Sequence, residues 1–324
     1  MREIILLKSR EESLVMIANG TRISKNEKVR RLSIHENSEE VQSDMRFPYL
    51  WSFLSFSSHH SFKHGFRNYK MLRLLHLDRA PFSCFPPELV ELIHLRYLSL
   101  RRTMIRELPE SIRKLKYLEI LDLKGNFHGM RVPSGIGRLT SLQKLGGVEV
   151  NEDYESVREL GKLTQLRRLG ILKLREEQGM DLCYTLERLK HLTAMPSRNC
   201  LALVLLELRQ AYAGEELCCD PGGFSKLKKL GLHELGSLKR IRIAKGSMPG
   251  LERLDITACT VLETVPDGIE NLKNIEDLVL WEMPSTFIKT VERRRGEDFW
   301  RVQHITTITR IYESRGRWVS ETLL

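Results

Sequence analysis

Apolar positions recur along most of the chain in one six-residue frame, leucine-x-x-leucine-x-leucine, with polar residues between them. The frame stands plainly at Leu72, Leu75 and Leu77, at Leu95, Leu98 and Leu100, and at Leu118, Leu121 and Leu123. Looser copies fall at Leu142 and Leu145, at Leu166, Leu169 and Ile171, and at Leu189 and Leu192. It resumes at Leu203, Leu206 and Leu208, then at Leu227, Leu230 and Leu232, at Leu251, Leu254 and Ile256, and at Ile275, Leu278 and Leu280. Weaker copies upstream are Val29, Leu32 and Ile34, and the Leu54 to Phe56 end of an aromatic stretch. The central residues of these frames, taken as 32, 54, 75, 98, 121, 145, 169, 192, 206, 230, 254 and 278, are separated by 21 to 24 residues in ten of eleven steps. The exception is the 14-residue step from Leu192 to Leu206, too short for a full turn of the repeat.

Side-chain alternation gives the frame its meaning. In a short strand the last two leucines point to one side, and the residues between and beside them point to the other. One such strand cannot bury its leucines alone, so successive turns stack and share a core, with the chain returning on the opposite side. The return segments carry their own signature: Phe85-Pro86-Pro87-Glu88-Leu89, Leu108-Pro109-Glu110-Ser111-Ile112, Val132-Pro133-Ser134-Gly135-Ile136 and Val265-Pro266-Asp267-Gly268-Ile269. Each is followed three residues on by Leu92, Leu115, Leu139 or Leu272, which predicts helices of one or two turns with proline at the first helical position. Just past each strand, Ala80, Thr103, Asn126, Ala211 and Cys259 occupy the place of a small polar or thiol group inside the turn. The expected fold is therefore α/β: a leucine-rich-repeat solenoid with a curved parallel sheet on the concave face and loops and short helices on the convex face. Residues 25–280 form this domain, about 12 units with an irregularity at 193–205. Residues 1–24 lie outside the repeat as a helix followed by a strand, and residues 281–324, rich in aromatics, are expected to cap the last coil.

Composition narrows the function. Leucine supplies 52 of 324 residues, yet no apolar run approaches the ~18 residues of a membrane span, and no secretory signal opens the chain. The net charge of +10 suggests nucleic acid, but residues 71–284 hold 32 basic and 29 acidic side chains, so no dedicated phosphate-tracking face is expected. Six cysteines without a C-x-x-C pair read as reduced thiols. No phosphate loop, dinucleotide fingerprint, zinc-protease or serine-hydrolase motif is present, so no enzyme, cofactor or metal site is expected. His59, His60 and His64 lack an acidic or thiol partner nearby, the adjacent Cys218 and Cys219 should diverge, and Arg293, Arg294 and Arg295 read as a solvated face.

What remains is a protein-binding surface. The outward residues of the strands are the candidates: Tyr97, Ser99 and Arg101; Asp122 and Lys124; Lys144; Arg168; His191; Glu207 and Arg209; Lys229 and His233; Arg253 and Asp255; Asp277 and Trp281. Lys144, Arg168, Lys229 and Arg253 share one repeat position and should form an interrupted basic stripe.

The proline motifs, together with Lys28-Val29-Arg30-Arg31-Leu32-Ser33-Ile34-His35, Leu206-Glu207-Leu208-Arg209-Gln210-Ala211-Tyr212 and Val302-Gln303-His304-Ile305, resemble the C-terminal half of plant intracellular nucleotide-binding leucine-rich-repeat (NLR) receptors, the coiled-coil class of disease resistance proteins. The resemblance implies recognition of a pathogen effector or a guarded host protein, and autoinhibition of a nucleotide-binding module, as part of innate immunity. It also implies that residues 1–24 are the end of a winged-helix subdomain, so ADP or ATP is expected only in a full-length family member. Arg30 and Arg31 become candidate contacts to the nucleotide-binding domain, and the expected location is cytoplasmic, at the inner face of the plasma membrane through partners. Family members carry extra repeat material where the 14-residue step falls, which favours a deletion there. The alternatives are an adaptor such as a ubiquitin-ligase substrate-recognition subunit, a nucleic-acid binder, or a non-functional truncated gene product.

Overall fold

The leucine frames fold into short strands that pair in parallel, each with the strand one repeat further on. The computed structural model describes residues 15–18, 29–34, 47–56, 66–126, 130–150, 159–160, 162–174, 203–211, 214–219, 221, 224–292 and 296–323. The chain forms two compact units, Met1–Val148 and Glu149–Leu324. In the first, β1 (Val15–Ala18), β2 (Arg31–Ile34), β3 (Ser52–Ser55), β4 (Leu74–Leu77), β5 (Tyr97–Ser99) and β6 (Ile120–Asp122) follow one another in parallel, and β6 pairs with β8 (Lys144–Val150), which spans the division. The short β7 (Met130–Arg131) is bridged in parallel to Glu107.

Register places Leu32, Phe53, Leu75, Leu98, Leu121 and Leu145 side by side in one buried column. Phe53 corrects the sequence expectation, which put Leu54 there. A one-residue shift in a strand turns every side chain to the other face, and the bulkier Phe53 takes the core position against Phe66 at 6.3 Å between ring centroids. β1 is a second finding: it pairs with β2 in the repeat's register, Met16 beside Leu32, so the sheet reaches into residues 1–24. Its 16-residue step to Leu32 lies outside the period, which is why the sequence set it apart.

In the second unit, β9 (Arg168–Leu174), β10 (Leu205–Arg209), β12 (Lys229–His233), β14 (Arg253–Thr257), β15 (Asp277–Trp281) and β16 (Thr307–Ser314) are parallel neighbours in that order. β17 (Arg317–Thr322) turns back antiparallel to β16. Leu206 sits directly beside Leu169 in the ladder, so β9 and β10 are neighbours although the sequence placed a frame at Leu189 and Leu192 between them. Those two leucines and the irregular stretch 193–202 lie outside the described residues, as do His59, His60, His64 and Arg293 to Arg295. On the opposite side of this unit β11 (Glu216–Cys219) and β13 (Arg240–Ile243) pair in parallel where the sequence predicted loops or helices. Both segments alternate: Leu217, Cys219, Ile241 and Ile243 are buried, while Cys218 points the other way.

The proline-bearing returns are 3-10 turns, and their prolines act differently from expectation. The carbonyls of Pro86, Pro109, Pro133 and Pro266 accept the N–H of Leu89, Ile112, Ile136 and Ile269 at 3.0–3.2 Å, so these prolines open the turn, and only Pro87 sits inside a helix. Leu89, Ile112, Ile136 and Ile269 are thereby driven into the core, fully buried. Gly268 adopts φ +86, and a Cβ there would stand 1.9 Å from the Ile243 carbonyl oxygen, so glycine is required.

Seven strands are followed closely by a left-handed residue. Arg79, Arg102 and Gly125 in the first unit, and Gln210, Glu234, Ala258 and Glu282 in the second, have φ between +48° and +82°. Their N–H groups still reach the next coil, as from Glu234 to the Thr257 carbonyl and from Ala258 to the Trp281 carbonyl, both 2.8 Å. The turn swings the following residue inward: Ala80, Thr103, Asn126, Ala211 and Cys259 are all buried. Asn126 accepts the Thr103 N–H (2.7 Å) and donates to the carbonyls of Leu100 (3.0 Å) and Leu123 (2.9 Å), linking two coils.

The C-terminal segment fills the last return with α1 (Ser285–Val291) and α2 (Phe299–Val302), burying Phe287, Ile288, Val291 and Val302. The nearly buried Arg301 holds α2 against the neighbouring turn, donating to Asp267 (2.8 Å) and to the Pro266 carbonyl (3.0 Å), with Asp298 and Glu270 at 3.4 and 3.5 Å.

Two outcomes follow. Asn126→Ala strands a buried N–H and two carbonyls, and is expected to lower unfolding stability by about 2–4 kcal/mol in denaturant titration. Cys259 is raised by burial from 9.0 to about 11. The unfolded thiol ionises first, so its contribution to stability is complete below about pH 9 and is lost as pH rises through about 11. Iodoacetamide at pH 9 should therefore label exposed Cys84 well before Cys259, as mass spectrometry of the digest reads directly.

Candidate partner-binding surface

The outward residues of the first unit fall into columns fixed by register. Arg31, Ser52, Leu74, Tyr97, Ile120 and Lys144 form one; Ser33, Leu54, His76, Ser99, Asp122 and Gly146 form the next. Arg101 and Lys124 stand just beyond the second. Two of the expected open residues are not open: Ser99 is 0% and Asp122 is 2% exposed. Both have short side chains among long ones. Lys144 Nζ lies 3.0 Å and Arg101 Nη1 3.9 Å from the Asp122 carboxylate, which also accepts the Lys124 N–H at 3.3 Å. The cations fold down over the acid, so the face presents Arg101, Lys124 and Lys144 as a partly neutralised group.

Beside them lies a cluster the sequence reading missed. His76 stands between the rings of Phe56 (5.0 Å) and Tyr97 (6.3 Å), and burial lowers its pKa despite Asp78 and Asp122 nearby. Burial would raise the Asp78 carboxyl, but Arg102, donating through Nε at 2.7 Å and through Nη2, holds it below its ordinary value. His76 occupies the middle of a leucine-x-leucine frame and was therefore readable as outward. The Asp78–Arg102 pair joins consecutive coils and has no signal within one repeat.

In the second unit Arg168, Leu205, Lys229, Arg253, Asp277 and Thr307 form one outward column. The basic stripe is thus broken by Leu205 and ended by Asp277. Arg253 is engaged, its Nε 2.8 Å from Asp255 and Nη1 3.8 Å from Asp277. Lys229 and Arg168 are exposed and have no ion-pair partner among the described residues. Glu207, Gly231 and Asp255 share the next column, and Arg209, His233, Thr257 and Trp281 the third. Arg209 pairs with Glu234, which also accepts from Gln210 Nε2 at 2.6 Å. Trp281 packs edge-on against Trp318 at 5.2 Å, the two rings 37% and 57% exposed. Trp318 comes from β17, in the aromatic segment expected to cap the last coil, and its place beside Trp281 on the outward face was not signalled by the repeat. His191 lies outside the described residues.

Among the described residues no three His, Cys, Asp or Glu side chains come together to hold a metal ion, and no helix is long and apolar enough to cross a membrane. The outward columns display charge, aromatic rings and hydrogen-bonding groups at fixed spacing.

His233 gives this face a pH dependence. Its ring Nε2 lies where a Cβ on Gly231 would fall, 2.6 Å away, so glycine lets the imidazole lie across the strand. Burial lowers its pKa below 6.5; Glu207, Asp255 and Glu234 pull upward and Arg209 downward, and burial prevails. The unfolded chain takes up this proton first, so stability falls as pH drops through 6.5. His233→Asn is expected to flatten the decline in melting temperature between about pH 7.5 and 5.5.

Known proteins resemble this chain in sequence and in fold. A family model described as a leucine-rich repeat region matches residues 49–128. The disease resistance protein At1g59780 of Arabidopsis thaliana is 29% identical over 394 residues, covering 95% of this chain and 43% of that protein. The alignment is longer than this chain, so the relative carries additional residues within the matched span. Disease resistance protein RPP8, also from Arabidopsis thaliana, is 24% identical over 95% of this chain and 45% of its own length. The chain spans less than half the length of these curated relatives. Among solved structures, an internalin from Listeria monocytogenes superposes with a TM-score of 0.55 at 16% identity, covering 89% of this chain and 83% of that one, and shares the fold. The chain is thus a leucine-rich-repeat protein related in sequence to plant disease resistance proteins.

Proposed function

We propose that this chain is the partner-recognition region of a plant innate immune receptor. On this reading its outward columns bind a pathogen effector or a guarded host protein, and it helps to hold a nucleotide-binding module at rest. It carries out no chemistry of its own and works in the cytoplasm.

The observation that supports the reading most is the second-unit column, where Lys229, like Arg168, stands exposed without an ion-pair partner among the described residues, while Arg209 and Arg253 are paired within the chain. A desolvated charge pair with an acidic partner group would confer specificity more than raw affinity. Arg253, already held by Asp255, serves to set the column's shape.

Lys229→Glu is expected to weaken capture of partner proteins from plant extract at least about tenfold. Its melting temperature should move by no more than about 2 °C, because the side chain is exposed and makes no ion pair among the described residues. Capture unchanged by the reversal would remove this column from the interface.

A further inference from the structure

At the start of the strands in the first unit lies a cluster that the repeat itself does not require. Arg30, Trp51 and Arg73 hold equivalent positions just ahead of β2, β3 and β4. They are linked by the Trp51 N–H to the Arg30 carbonyl (2.8 Å) and the Arg73 N–H to the Trp51 carbonyl (2.9 Å). Both guanidinium groups pack on the Trp51 ring, Arg30 at 4.7 Å and Arg73 at 5.2 Å from its centroid. Arg31 is exposed beside them at the head of the neighbouring outward column.

Several cations along the strands of this unit are matched within the chain, Arg96 to Glu119 at 2.8 Å, Lys144 to Asp122 at 3.0 Å, and Arg102 to Asp78. Arg30, Arg31 and Arg73 have no ion-pair partner among the described residues. Stacking on an indole uses the flat face of a guanidinium and leaves its in-plane N–H fork to solvent, restrained and ready for a bidentate carboxylate. Trp51 is itself 36% exposed. Next to this basic margin the outward columns carry the half-buried Leu54, Phe56, Leu74, Tyr97 and Ile120 among polar residues.

The geometry points to a binding site for an extended acidic segment of a partner polypeptide, its carboxylates on Arg30, Arg31 and Arg73 and its apolar side chains on Leu74 and Tyr97. The proposal rests on the partner-recognition reading and names the chemistry of one partner. Arg30 and Arg73 are two strands apart, about 10 Å at the usual strand spacing. A chain extended as polyproline II rises about 3.1 Å per residue and returns every third side chain to one side, so acidic groups spaced acid-x-x-acid meet both. The half-buried Leu54, Leu74 and Ile120 offer aliphatic contacts next to the guanidinium groups, a pairing of apolar and anionic recognition that fits the side chains of a polypeptide.

The test uses the full chain and fluorescence anisotropy of a labelled peptide, DLFDLFDLF, beside its charge-swapped counterpart KLFKLFKLF. The acidic peptide should bind and the basic one should not. Arg30→Gln with Arg73→Gln, and separately Trp51→Ala, should each weaken binding at least about tenfold. Lys114→Gln with Lys116→Gln, on the opposite side of the coil, should leave it unchanged. No peptide binding, equal binding of both peptides, undiminished binding by the variants, or tighter binding to phosphatidylserine vesicles or duplex DNA overturns the site. Loss of partner capture on Lys229→Glu without any acidic-peptide binding would reject this site while leaving the partner-recognition reading in place.

Discussion

One leucine per coil is covered only because the next coil sets its own equivalent residue beside it, and the parallel backbone register enforces that match. Leu206, Leu230, Leu254, Leu278 and Ile308 succeed one another in a single buried column of the second unit, and Leu75, Leu98, Leu121 and Leu145 do the same in the first. A coil taken alone would leave this column in water, so its stability belongs to the pair of coils and not to the coil. The inner Asn126, which bonds carbonyls of two coils, and the Arg301 clamp on the final return serve the same end by polar means.

The register that stacks leucines inward also stacks whatever stands between them outward. Surface chemistry therefore comes in rows, and a charge is judged by its neighbours about 24 residues away rather than by those adjacent in sequence. Asp122 shows the effect. In the chain it lies between two leucines; in the fold Lys144 from the next strand and Arg101 from the strand before close over it. Arg253 is similarly drawn to Asp277 of the next strand and to Asp255 of its own. Cations left out of such pairings are the ones free to meet another molecule.

Much of this was legible in the sequence because each leucine frame reports its own strand. The core columns, the inner position of Asn126 and Cys259, and the alignment of Arg168, Lys229 and Arg253 all follow from counting residues. Legibility failed where two frames competed or where none existed. Phe53 and Leu54 differ by one position, and only packing against Phe66 decides which of them turns inward. β11 and β13 required recognition of a second alternation on the return side, and β17 has no repeat to mark it. Pairs between coils, such as Asp78 with Arg102, depend on rotamers that repeat counting does not specify.

The left-handed strand ends carry a consequence for how such a chain can diversify. A positive φ is tolerated by glycine and, at a cost of about 1 kcal/mol, by unbranched residues, but a β-branched side chain there collides with its own backbone. Arg102, Gln210, Glu234, Ala258 and Glu282 all meet that condition. Along this border the available alphabet therefore excludes valine, isoleucine and threonine while leaving charge, length and hydrogen-bonding capacity unconstrained. Variation can change the sign and reach of one rim of the surface, coil by coil, without disturbing the leucines beneath it.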